Sequence, residues 1–103
     1  MPLSLVLTTV SRRGAARLAK EAVEKRLAAC GNISEVRSLY SWRGVLHDEA
    51  ESLILFKTTK EKAPLLRAFL EKEHPYENPE IVELEAAGAS VKYLSWVVES
   101  VAG

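Results

Sequence analysis

Leu5-Val6-Leu7-Thr8-Thr9 and, fifty residues on, Leu55-Phe56-Lys57-Thr58-Thr59 repeat one signal. Each is an apolar run of strand formers that stops at paired threonines, whose hydroxyls can serve the free N–H groups of a following helix. Helical text follows both runs, and each half then closes on another strand-like segment. The order is β-α-β-β-α-β, the split βαβ or ferredoxin-like arrangement of the α+β class. A length of 103 residues leaves room for one core, so residues 1–103 read as a single domain.

Working outward, the first helix is expected from Arg12 to Ala29, with Ser11 as its cap. Ala15, Leu18, Ala19, Ala22, Val23 and Leu27 recur at spacings of three and four, which marks its buried face. Cys30-Gly31-Asn32 would end it, because Gly31 and Asn32 tolerate a left-handed turn. The second helix is expected from Lys62 to Glu73, with Leu65, Leu66, Phe69 and Leu70 inward and Pro64 in its first turn. His74-Pro75 closes it, since proline pushes the preceding residue out of helical geometry.

Between the helices the pattern is that of a hairpin. Val36 to Leu46 alternates, with Val36, Tyr40, Trp42 and Leu46 on one side. The polar stretch His47-Asp48-Glu49 is the expected connection. Leu53 to Phe56 is apolar throughout and reads as a strand covered on both faces. Ile81 to Leu84 supplies the fourth strand. Val91 to Val101 adds a C-terminal helix in which the polar residues Lys92, Ser95 and Glu99 share one narrow stripe. Its apolar residues, Tyr93 and Trp96 among them, spread over roughly 220° at 100° per residue. A surface helix needs an apolar stripe only slightly wider than about 100°. The excess predicts contact with a second chain.

Composition narrows the function. Residues 1–46 carry eight Lys/Arg against three Glu, and residues 47–103 carry six against eleven Asp/Glu. The local excesses of +5 and −5 cancel, which argues against nucleic acid and for complementary self-association. No apolar run approaches the roughly 20 residues of a membrane span. The N-terminal residues do not resemble a signal peptide, and the one cysteine, Cys30, permits no disulfide within the chain. A cytoplasmic protein is expected. No G-x-S-x-G, P-loop, G-x-G-x-x-G or H-E-x-x-H is present, so no enzymatic activity is expected.

The densest polar constellation is His74-Pro75-Tyr76-Glu77-Asn78-Pro79-Glu80-Ile81. Two prolines stiffen it, so its imidazole, phenol and carboxylates are held in place before a ligand arrives. Imidazole with carboxylate suits copper or zinc. The alternative is a rigid connection in which Tyr76 and Glu77 hydrogen-bond backbone. Cys30 is either a soft donor or a buried small residue. The candidate metal ligands are therefore Cys30, His74 and Glu77. His47 reads as a solvated turn residue.

Thr8-Thr9, Arg26-Leu27-Ala28-Ala29-Cys30 with Asn32-Ile33, Ser38-Leu39-Tyr40 with Trp42 and Gly44, Lys57-Thr58-Thr59, His74-Pro75-Tyr76-Glu77 with Pro79-Glu80-Ile81, and Tyr93-Leu94 with Trp96 together resemble the CutA divalent-cation tolerance family. They occur in that family's order and span nearly the whole chain. The resemblance implies a homotrimer of ferredoxin-like subunits linked to copper and other divalent metals, with no obligatory cofactor. It also implies an inter-subunit cleft or interface built from Tyr40, Trp42, Lys57, Tyr76, Tyr93 and Trp96. The alternative it leaves open is a non-metal regulatory or structural trimer that binds a small ligand or partner protein in those clefts.

Overall fold

The two repeated segments lie side by side at the centre of one sheet. The computed structural model describes residues 2–103, in the order β1 (Leu3–Val10), α1 (Arg12–Glu24), β2 (Cys30–Trp42), β3 (Val45–Thr59), α2 (Ala63–Glu73), β4 (Ile81–Glu85) and α3 (Val91–Val101). Spatial order is β2-β3-β1-β4 with every pair antiparallel, and Leu5 stands opposite Lys57, Leu7 opposite Leu55. β1 and β2 therefore run parallel with β3 between them, and β3 and β4 run parallel with β1 between them. This is the split βαβ topology with a C-terminal helix.

Alternation along the strands decides which face the helices cover. Val6, Thr8 and Val10 of β1 and Ile54, Phe56 and Thr58 of β3 are buried. They meet Ala15, Leu18, Ala19 and Ala22 of α1 and Ala63, Leu66 and Leu70 of α2 in the main core. On the opposite face α3 covers one end only, where Leu3, Ala29, Val97 and Val101 form a smaller cluster flanked by Leu5 and Leu94. Beside that cluster the face stays open along β4, with Val82 and Leu84 exposed.

Two expected boundaries move, each for a backbone reason. α1 ends at Glu24, five residues before Ala29. Arg26 takes the left-handed conformation (φ 58°) while its N–H donates to Val23 O and that of Leu27 donates to Ala22 O, both at 3.0 Å. Those are the two bonds of a Schellman cap, made here by arginine where glycine is usual. Gly31 consequently lies inside β2, not in a turn. A Cβ there would come within 3.1 Å of the Phe56 ring, so glycine serves close packing.

The hairpin turn also lies elsewhere. It is the pair Arg43-Gly44 (φ 52° and 78°), between the facing residues Trp42 and Val45. Two left-handed central residues make the two-residue turn that matches strand twist, and Arg-Gly lacks the Asn-Gly signature that would have marked it. His47 is thus a β3 residue opposite Tyr40, its ring stacked at 4.9 Å. Leu46 faces away from Tyr40 and Trp42. β1 reaches only as far as Val10 opposite Ser52, so β2 and β3 project beyond it as an unsupported two-stranded ribbon.

Smaller departures follow from exposure and capping. Leu65 is 55 % exposed, while Leu66 and Leu70 carry the inward face of α2. Lys62 is the residue before that helix, and its N–H reaches the Thr59 hydroxyl at 3.3 Å. The equivalent service at α1 is absent: Ser11 occupies the cap position without a side-chain bond. Among the described residues no helix is long and apolar enough to cross a membrane.

Candidate functional site

The segment after α2 folds back over the root of the ribbon because His74 anchors it. His74 is 8 % exposed, and its Nε2 lies 2.9 Å from the carbonyl oxygen of Thr9 at the end of β1. An imidazole nitrogen facing a carbonyl oxygen must carry the proton. Nδ1 is then the acceptor, and it takes the Tyr76 N–H at 3.1 Å. Burial pushes the His74 pKa below its ordinary value, against the opposing pull of the Thr9 carbonyl and Glu51. The neutral ring with both nitrogens engaged is a structural tie. It offers no lone pair to a metal.

Beyond this anchor a chain of polar contacts joins loop to ribbon. The Tyr76 hydroxyl donates to Glu51 Oε2 at 2.6 Å, and its ring meets that of His74 edge-on at 4.7 Å. Burial and the Glu51 carboxylate hold the Tyr76 phenol well above the ordinary value. Two residues earlier on β3, Glu49 accepts the Tyr40 hydroxyl at 2.5 Å. That bond, with burial and the nearby carboxylates, pushes Tyr40 up to about 12. Arg43 in the turn grips both oxygens of Glu77 at 3.1 and 2.9 Å and lies over the Trp42 ring. Arg37 grips both oxygens of Asp48 at 2.8 and 2.6 Å.

These contacts enclose a cleft of about 650 Å³ between the ribbon and residues 76–80, with Thr9, Tyr40, Trp42, Glu51 and Tyr76 among its walls. Three of the expected cleft residues, Tyr40, Trp42 and Tyr76, meet here. The other three do not. Lys57 faces Cys30 across β2 and β3, and Tyr93 and Trp96 stand on α3 with rings 5.6 Å apart. They belong to the opposite end of the sheet.

The expected ligand set separates in the same way. Cys30 opens β2 instead of closing a helix, and it is half-buried. Its sulfur lies 3.5 Å from the Tyr93 hydroxyl, a contact that with burial pushes the phenol up to about 12. Cys30 is level with Leu5 in the sheet, whereas His74 is tied to Thr9. Four residues of strand separate them, roughly 13 Å at about 3.3 Å per residue. Glu77 is committed to Arg43. Among the described residues no three His, Cys, Asp or Glu side chains converge to hold a metal. Cys30, His74 and Glu77 therefore do not form one centre within a chain.

Glu49, Glu51, Arg37 and Arg43 belong to the site although sequence reasoning passed over them. With the turn placed at His47-Asp48-Glu49, these carboxylates read as solvated loop. A turn at Arg43-Gly44, which carries no Asn-Gly signature, puts them on a strand.

The comparisons settle kinship. The family model described as CutA1 divalent ion tolerance protein matches residues 4–100. The chain belongs to the CutA family. The divalent-cation tolerance protein CutA of Thermus thermophilus is 43 % identical over 98 residues, which cover 93 % of this chain and 95 % of that protein. The solved structure of CutA from Synechococcus elongatus superposes with a TM-score of 0.94 at 41 % identity, covering 98 % of this chain and 91 % of that one. Human protein CutA is 37 % identical over 92 residues, 88 % of this chain but only 51 % of that protein. The chain thus spans nearly all of the Thermus relative and about half of the human one.

Proposed function

We propose that this CutA chain is a non-enzymatic homotrimer for divalent-cation tolerance whose working surfaces lie at the joints between copies. One observation supports this best: the ribbon and α3 leave apolar side chains uncovered in a single chain. Leu39, Val45 and Leu46 are 59, 56 and 73 % exposed, and Val91 is 81 % exposed. A two-stranded ribbon is at best marginally stable alone in water. Each such side chain buried against another copy contributes about 1.5–3 kcal/mol. Together these four rival the roughly 5–15 kcal/mol that stabilises a domain.

The divalent cation comes from the relatives' name. Within one chain the donors are dispersed, so copper or another divalent ion would meet few ligands and bind weakly and reversibly. Cys30 is the soft donor still free for it. Light scattering at low micromolar concentration tests the assembly, with a mass of three chains expected; the mass of one folded chain would refute it. Copper titration of the wild type, Cys30→Ala and His74→Ala tests the cation, with the loss expected in the cysteine variant alone. A second reading, a small non-metal ligand at an inter-subunit cleft, is favoured by the aromatic and acidic walls around Glu51.

A further inference from the structure

We propose that the cleft between the β2–β3 ribbon and residues 76–80 is a binding site for a small aliphatic diamine, held by the carboxylates of Glu51 and Glu49. Glu51 is only 4 % exposed, yet its one side-chain partner there is the Tyr76 phenol, on Oε2. Among the described residues neither Glu51 nor Glu49 has a cationic nitrogen within ion-pair distance. A carboxylate taken out of water without a countercharge is costly, so buried charges are ordinarily paired. The two guanidiniums of the ribbon are engaged elsewhere. Arg37 is bidentate on Asp48 and Arg43 on Glu77.

Glu49 and Glu51 share one side of β3, two residues and roughly 7 Å apart along the strand. Each accepts a hydrogen bond from a phenol, Tyr40 and Tyr76 respectively. Glu51 stands in the cleft wall, and Glu49, just outside it, is tied to the wall residue Tyr40. The Trp42, Tyr40 and Tyr76 rings offer π faces that attract ammonium groups and an apolar bed for a methylene chain. A divalent metal fits poorly, because it needs several donors converging on one point and no three His, Cys, Asp or Glu side chains do so among the described residues. Two ammonium groups joined by a short methylene chain match two carboxylates at that separation. The nearest alternative source of positive charge is a lysine or arginine of a neighbouring copy.

The test uses the full chain in low salt at neutral pH, carrying Trp96→Phe so that Trp42 alone reports. The probe is 1,5-diaminopentane, with pentane-1,5-diol and glutarate as matched uncharged and anionic controls. Calorimetry and Trp42 fluorescence should show the diamine binding once per chain and neither control binding. Glu51→Gln should weaken the diamine by about tenfold or more, as loss of a hydrogen-bonded charge does. Glu49→Gln, at an exposed position, should weaken it severalfold and covers the case in which the Glu51 variant misfolds. No response to millimolar diamine, or unchanged affinity in both variants, overturns the proposal. A fall in oligomer mass for Glu51→Gln would also overturn it, because the carboxylate would then serve a cation of a neighbouring copy. Diamine binding by a chain of monomeric mass would instead refute only the trimer.

Discussion

His74 Nε2 donates to the Thr9 carbonyl 2.9 Å away, and this bond pins the exit of α2 to the end of β1. It fixes where the 74–80 segment lies, and through Tyr76 it fixes the wall of the cleft. The bond needs a neutral ring only because Nδ1 must accept from the Tyr76 N–H at the same time.

That requirement makes stability depend on pH with a definite sign. Burial lowers the folded-state pKa of His74 below the ordinary 6.5. The unfolded chain therefore binds the proton more readily, and stability falls as protons are added. The contribution is full above about pH 6.5 and is lost progressively below it. Urea midpoints at pH 7.5 and 5.5 should differ in the wild type, and the difference should shrink in His74→Gln. An equal pH response in that variant would place the titration on another group.

Gly31 packs against Phe56, and substitution there should be felt. An added Cβ would lie 3.1 Å from the Phe56 ring and 3.2 Å from Ile54. Overpacking costs about 1–3 kcal/mol, more than the about 0.4–1 kcal/mol gained by stiffening the unfolded chain. Gly31→Ala should lower the denaturation midpoint. Gly88→Ala, with nothing among the described residues within 4 Å of its added Cβ, is the control and should not.

How much was legible in the sequence follows from which signals have a short range. The repeated apolar runs announced β1 and β3 and their flanking helices, and Pro64 and Pro75 bounded α2 within a residue. The misplaced boundaries are Arg26 and Arg43, two arginines in left-handed conformations that glycine or asparagine normally marks. Each error shifted a site residue: Cys30 from helix end to strand start, and Glu49 and Glu51 from loop to strand. The joining of Tyr76 to Glu51, and the parting of Cys30 from His74, depend on strand register. No local pattern encodes that.

Two hydroxyls in the main core offer a stabilising change. Thr8 and Ser4 are fully buried, and neither hydroxyl has a hydrogen-bond partner among the described residues. Leaving such a group unmet costs about 1–3 kcal/mol, whereas an apolar group of the same shape carries no such cost. Thr8→Val should raise the thermal midpoint, and Thr58→Val should lower it. The Thr58 hydroxyl, fifty residues on in the repeat, donates to Leu27 O at 2.7 Å and would be missed. Midpoints moving the same way in both variants would contradict this contrast.

The sharpest prediction concerns Leu39 and Leu46, which lie on the face of the ribbon opposite Tyr40 and Trp42. Both are mostly exposed in one chain, at 59 and 73 %. If the chain worked alone, Leu46→Glu would be an ordinary surface change, worth within about ±0.5 kcal/mol. Within a trimer the same glutamate would be forced into an apolar joint without a partner, where an unpaired charge costs several kcal/mol. Light scattering on Leu46→Glu and Leu39→Glu should therefore show a lower mass at micromolar concentration, with the thermal midpoint falling and becoming dependent on protein concentration. Leu65→Glu, on the outer face of α2, changes another exposed leucine (55 %) away from the ribbon and should leave the mass unchanged. A full trimer mass for both ribbon variants would show that this face stays in water and that the copies join elsewhere.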